Sequence, residues 1–195
     1  MKPVLTMITS SDYKFALAQQ ILGNHFDLRR LECSIPEYQF LDVKTVVKYK
    51  ASLAYIKCKG PVLVDDAGIY LAACEGYPGA LAKFVKSRLG MNGVLRMLNG
   101  QSRYAESVVA VAYCDETTAK NPAIFEGRVR GRISDLPTDT DFPKSAGFGH
   151  LFIPHGARMP YIHIPEEQKG KYSERTIALN QFLDWAKENI LPKEI

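Results

Sequence analysis

Two aspartates stand side by side in "PVLVDDAGIY", residues 61–70. An apolar run, Pro61 to Val64, leads into Asp65 and Asp66, and the chain turns apolar again after Ala67 and Gly68. Adjacent carboxylates repel, and burying one unpaired is costly. A metal ion, a basic cluster or solvent at a strand end must offset them. Neighbours on a strand point to opposite faces, which divides the work: one carboxylate can bond the structure while the other faces a cleft.

Four other stretches carry chemistry. "TSSDYK" at 9–14 places the hydroxyls of Thr9, Ser10 and Ser11 ahead of a helix start, where backbone N–H groups and the helix dipole suit a phosphate. Lys14 lies in the first turn, where a cation opposes the dipole unless an anion sits nearby. Glu37 in "IPEYQ" is a carboxylate after a proline. "SAGFGHLF" at 145–152 sets Phe148 between glycines, so the backbone can approach a ligand and the ring can stack on a flat base. "KGKYSERTIAL" at 169–179 puts Lys169 and Arg175 around a second helix N-terminus. Taken singly, each also reads as ordinary structure: a helix cap, a solvated strand end, a surface loop.

These residues need elements to hold them. "PVLTMI" at 3–8 predicts a short buried strand, and the segment after it a helix that carries Phe15, Ala18, Ile21 and Leu22 on one face and stops at Gly23. "FDLRRLEC" reads as a second strand. Asp42 caps a helix over 43–58, which Gly60-Pro61 ends. A strand over 62–65 and a separate apolar stretch over 69–74 follow, then the turn "EGYPGA". Helices over 80–89 and 91–98 are punctuated by Gly90 and Gly100, and long strands over 104–114 and 123–133 form a hairpin. Residues 135–150 read as a functional loop. A last helix is capped by Ser173, with Leu179, Phe182, Leu183, Ala186 and Ile190 as its stripe. The expected fold class is α/β, with a long central hairpin and helices packed on a mixed sheet.

The 195 residues suit one domain, 1–195, with a proper core. Nothing approaches the ~20 consecutive apolar residues of a membrane span, and the N-terminus lacks a signal-peptide pattern. Cys33, Cys58, Cys74 and Cys114 show no metal-ligand spacing and read as reduced thiols of a cytoplasmic protein. The formal net charge of +4 is diffuse; it favours an anionic small molecule over stable nucleic-acid binding.

Taken together and in this order, the motifs resemble the inosine triphosphate pyrophosphatase family, enzymes that hydrolyse non-standard purine nucleoside triphosphates. "TSSDYK" matches the family's Thr-Gly-Asn-x-x-Lys loop, with Ser10 and Ser11 for Gly and Asn. "VDDAG" is similar to its Glu-Asp-Ser-Gly stretch, "GYPGALAKF" to its Gly-x-Pro-Gly turn, and "FEGRVRGRI" to its hairpin. "GFGHLFIP" resembles its Gly-Phe-Gly-Tyr-Asp-Pro loop, and "YSER" its Ser-His-Arg. The resemblance implies an elongated α/β fold with a nucleotide cleft between two lobes, release of a monophosphate and pyrophosphate from ITP, dITP or XTP, a divalent metal (Mg2+, with Mn2+ as alternative), and a homodimer. It makes Asp66 the catalytic carboxylate and gives the metal to Glu37 and Asp66. Thr9, Ser10, Ser11, Asp12, Tyr13 and Lys14, with Lys50 and Lys83, would hold the triphosphate. Ala67 stands where the family's serine contacts substrate. Phe148, Gly149 and His150 would meet the base, with Lys169, Glu174 and Arg175 close by, and Arg175 would bond a purine O6.

Two departures bear on base choice. The glycine loop is about two residues short and has His150 in place of the family's aspartate; Glu174 replaces the histidine before the arginine. A swap of acid and imidazole, joined by one hydrogen bond, would keep Arg175 aimed at the base; an opened pocket is the other reading. A related pyrophosphatase of altered base preference, such as one acting on modified pyrimidines, and a nucleotide-binding protein without turnover are the alternatives.

Overall fold

The structure, a computed structural model, describes residues 1–36, 38–135 and 144–192, and of 144–146 the backbone. Strand β1 (Val4–Ile8) lies parallel to β2 (Asp27–Leu31) on one side and to β3 (Val62–Leu71) on the other. Beyond β3 the sheet turns antiparallel: β3 pairs with β5 (Tyr104–Cys114), β5 with β6 (Ala123–Ile133), and β6 with β7 (Phe152–Pro154). The two-residue β4 (Pro78–Gly79) pairs with the second half of β3. The order β2-β1-β3-β5-β6-β7 is a mixed sheet with the expected long hairpin at its centre.

Helices cover both faces, because both faces of the central strands are apolar. Leu63, Val109, Val111 and Tyr113 pack against α1 (Asp12–Leu22) and α5 (Glu174–Asn189). Val62, Val64, Val108, Ala110 and Ala112 pack against α2 (Val43–Cys58). A third cluster, with Ile69, Leu71 and Phe152, sits under α3 (Ala82–Met97). A four-residue α4 (Glu166–Lys169) precedes α5.

The caps fall where the sequence places them. Asp42 accepts hydrogen bonds from the N–H groups of Lys44 and Thr45, and Ser173 from Thr176. Gly90 breaks α3 with a left-handed φ of 66°, so the two expected helices meet there. Gly127 lets α5 lie close on β6: a Cβ at this position would stand 1.8 Å from the Glu174 carbonyl oxygen.

One expectation is corrected. Residues 62–65 and 69–74 do not form separate stretches; Val62–Leu71 is one strand, paired residue by residue with β5. Asp65 and Asp66 are therefore in mid-strand. What ends near them is the neighbour, β1, at Ile8. The antiparallel ladder to β5 satisfies the β3 backbone, so the charged pair does not terminate the strand.

Candidate active site

The β1–α1–β2–α2–β3 connectivity sets β1 between β2 and β3. One connection leaves β1 for one neighbour, and the chain returns to the other side. In open α/β sheets ligands bind at such a reversal, outside the carboxyl ends of the strands. Here that point is the loop after β1. Thr6 pairs with Val62 and Met7 with Leu63; carrying that register two residues on brings Thr9 level with Asp65.

Asp65 and Asp66 take opposite faces, as strand alternation requires. The Asp65 side chain is 3% exposed and faces α1 and α5. Lys14 Nζ donates to it at 3.1 Å, and Arg175 donates to Oδ2 from Nε at 3.0 Å and Nη2 at 2.8 Å. Lys50 Nζ, from α2, donates to the Asp65 carbonyl at 3.2 Å. Burial pushes the Asp65 carboxyl up, but Lys14, then Arg175 and Lys50, outweigh it and hold the group well below the usual carboxylate range. Burial pulls Arg175 down and Asp65 more than restores it. A basic cluster is thus what offsets this carboxylate.

Asp66 is half-buried and faces a cavity of about 250 Å³, whose walls include Tyr38, Phe40, Lys83 and Phe84. A larger cavity, about 830 Å³, opens between the chain ends beside Lys2, His25 and Lys187, away from every residue the motifs single out.

The Thr9–Lys14 segment folds as a capped helix start. Ser11 caps α1 and accepts from the Lys14 N–H; Thr9 Oγ1 accepts from the Ser11 N–H at 3.1 Å. Ser10, in place of the motif's glycine, adopts no left-handed φ. Lys14 in the first turn has its anion: Asp65.

The remaining candidates are placed less centrally. Phe148 is partly buried against the third core cluster, and Gly149 faces the ring of Tyr161, which stands 3.6 Å from a Cβ built there. His150 is buried. Glu174 is half-buried and acts electrostatically on Arg175 and Tyr161. Lys169 is bonded to Glu166 at 2.7 Å in α4. Ala67 is exposed, as is Lys83. Asp12, nearly fully exposed, is held by Arg30. Glu37 lies outside the described residues. The structure brings together Thr9, Ser11, Lys14, Lys50, Asp65 and Arg175. What orients Arg175 is Asp65, a contact no local sequence signal announces.

Arg30 and Tyr161 were not foreseen. Arg30, on β2, donates from Nε to the Thr9 carbonyl at 3.1 Å and from Nη2 to the Ser10 carbonyl at 2.8 Å. The Tyr161 and Tyr13 hydroxyls share a hydrogen bond of 3.4 Å, and burial, followed by Tyr13, raises the Tyr161 phenol. The one available signal was the paired arginine in the "DLRRL" strand.

Among the described residues no three His, Cys, Asp or Glu side chains converge as a metal cage. A closed zinc-type site needs such a cage. Magnesium does not: it keeps several waters and takes one or two carboxylates with substrate phosphates. Asp66 at the cavity fits that second pattern.

Residues 5–185 match the Ham1 family. The chain is 33% identical to a dITP/XTP pyrophosphatase of Methanopyrus kandleri, over 91% of this chain and 93% of that one. It is 32% identical to an inosine triphosphate pyrophosphatase of Aspergillus fumigatus, over 96% and 97%. Among solved structures, a HAM1 protein from Coxiella burnetii superposes with a TM-score of 0.82 at 20% identity, covering 95% of this chain and 99% of that one. The mixed sheet is thus that of a known lineage, and the chain belongs to the Ham1 family.

Proposed function

We propose that the protein hydrolyses non-standard purine nucleoside triphosphates, such as ITP, dITP and XTP, to the monophosphate and pyrophosphate. Family membership and relatives named for this activity support the reading. The observation that carries it is the division between two adjacent aspartates: one buried among three cations, the other half-buried at a cavity beside Lys83.

In this reading Asp66 orients a water and takes its proton as the water oxygen bonds to the α-phosphorus. The bond from that phosphorus to the α–β bridging oxygen breaks, and pyrophosphate leaves with the electron pair. Lys14, Lys50 and Lys83 meet the triphosphate charge, and the Thr9–Lys14 loop offers backbone donors. Asp66 and Glu37 would hold Mg2+, which supplies charge neutralisation on the departing pyrophosphate. Phe148 stacks on the base beside Gly149. With Nε and Nη2 of Arg175 committed to Asp65, the purine O6 contact falls to Nη1, where adenine would set an amine against a donor. The active form is a cytoplasmic homodimer of one-domain subunits.

The test is pyrophosphate release from a panel of ITP, dITP, XTP, ATP, GTP and a modified pyrimidine triphosphate, with and without Mg2+. Metal-dependent release that prefers the 6-oxo purines supports the reading. Release that prefers the pyrimidine would point to altered base choice, which Glu174 and the short glycine loop favour; no release from any substrate would overturn it.

A further inference from the structure

We infer that Arg30 is a positioning residue for the phosphate loop, setting the direction of its peptide planes through a guanidinium fork that touches no substrate. The inference rests on the proposed function, since it assigns a task to a loop taken there to hold the triphosphate.

Arg30 sits on β2 opposite Met7 of β1, one strand away from the loop that follows β1. Its side chain spans that loop. Nε takes the Thr9 carbonyl, Nη2 takes the Ser10 carbonyl, and Nη1 takes the Asp12 carboxylate at 2.5 Å. A second carboxylate, Glu32, steadies Nη2 at 2.5 Å. In a trans peptide the C=O and the following N–H point in opposite directions. Holding the Thr9 and Ser10 carbonyls on the Arg30 side therefore turns the Ser10 and Ser11 N–H groups away from it. Ser11 N–H is taken up by Thr9 Oγ1, which closes the turn. On the proposed function, the Ser10 N–H is the donor so aimed at the triphosphate.

The need for such a device is specific to this loop. Ser10 and Ser11 carry side chains and adopt no left-handed φ, so the loop cannot reach a phosphate cradle through glycine conformations. Its shape has to be fixed from outside. A planar fork with donors at fixed spacing fixes two consecutive carbonyls; an ammonium, being a single point, does not. Among the described residues the neighbouring Arg29 pairs with Asp27 of its own strand, and it serves as an internal comparison.

The experiment compares wild type, Arg30→Lys, Arg30→Gln and Arg29→Gln. Calorimetry measures binding of inorganic tripolyphosphate and of inosine; steady-state assays with ITP give kcat and KM; thermal melting checks folding. Arg30→Gln should weaken tripolyphosphate and raise KM by about tenfold, with kcat changed less than about twofold, inosine binding unchanged and Arg29→Gln silent. Arg30→Lys should behave like Arg30→Gln, because the fork and not the charge is required. Wild-type affinity in Arg30→Lys, or an equal loss for inosine and tripolyphosphate, overturns the inference. If wild type releases no pyrophosphate from any nucleotide, the proposed function fails, and the tripolyphosphate comparison still decides the role of Arg30. A wild-type protein that binds no tripolyphosphate overturns it as well.

Discussion

Asp65 and Asp66 differ by one position and by everything around them. Asp66→Asn keeps the shape but loses the charge that the proposed function uses on water and metal, so turnover should fall by more than roughly two decades. Stability should stay within about 1 kcal/mol, because the side chain is half-buried at a cavity. Asp65→Asn should do the reverse of a clean catalytic lesion. It removes the charge from a carboxylate that is 3% exposed and leaves Arg175 buried without its anion. Breaking a buried pair from one side costs on the order of 3–5 kcal/mol. Denaturant unfolding of the two variants separates the roles: a stability loss at position 66 equal to that at 65 would contradict the two-face assignment. Sequence alone supports the alternation, since neighbours on any strand diverge. It does not support the partners, because nothing local links position 65 to position 175, and the pairing depends on where α5 lands on the sheet.

At the scale of elements, the sequence is legible wherever one period runs long enough. The strands 104–114 and 123–133 and the capped helix 43–58 appear with those bounds. The continuity of β3 is not legible, because the acidic pair interrupts its apolar pattern and only pairing with β5 restores it. Two predictions belong here. Asp42→Ala should cost about 1 kcal/mol as α2 loses its cap. Burial pushes the Asp42 carboxyl up, and the Thr45 hydroxyl, the Thr45 and Lys44 N–H groups and the Lys44 charge outweigh it, so the folded group titrates below its usual value. A carboxyl depressed on folding contributes stability above its unfolded pKa, about 3.9, and that contribution fades as pH falls below it. The gap between wild type and Asp42→Ala, followed by chemical denaturation from pH 7 to pH 3, should narrow at the acid end; a constant gap would place the benefit in packing instead. Gly127→Ala should be worse than its single methyl suggests. The Cβ would meet the Glu174 carbonyl, which is backbone and cannot rotate away. The N-terminus of α5 must lift, at about 1–3 kcal/mol, and Arg175 lifts with it. A variant with wild-type stability and activity would show that α5 has room that this packing denies it.

For the whole molecule, the proposed function has the substrate meet residues from both faces of the sheet. The Asp65 side carries Lys14 and Arg175 from α1 and α5; the Asp66 side carries Val46 and Lys83 from α2 and α3. Phe148 comes from a third segment, after β6. A nucleotide that touches all of these joins elements from both faces of the sheet. Its effect should therefore exceed that of its parts, because the second contact becomes intramolecular once the first is made. The Asp66→Asn variant makes this measurable without turnover. A ligand that binds only the folded state at about 100 times its Kd adds about 2.7 kcal/mol, or roughly 5–10 °C in melting temperature for a chain of this size. ITP should give a shift in that range. Inosine, which lacks the phosphates, should give little, and tripolyphosphate an intermediate value, the two pieces together falling short of the intact nucleotide at matched concentrations. ATP should shift less than ITP if Arg175 selects the 6-oxo group on binding. Equal shifts for ATP and ITP would move selectivity out of binding and into the chemical step, and a full shift from tripolyphosphate alone would leave Phe148 and the base loop with no part in holding the ground state.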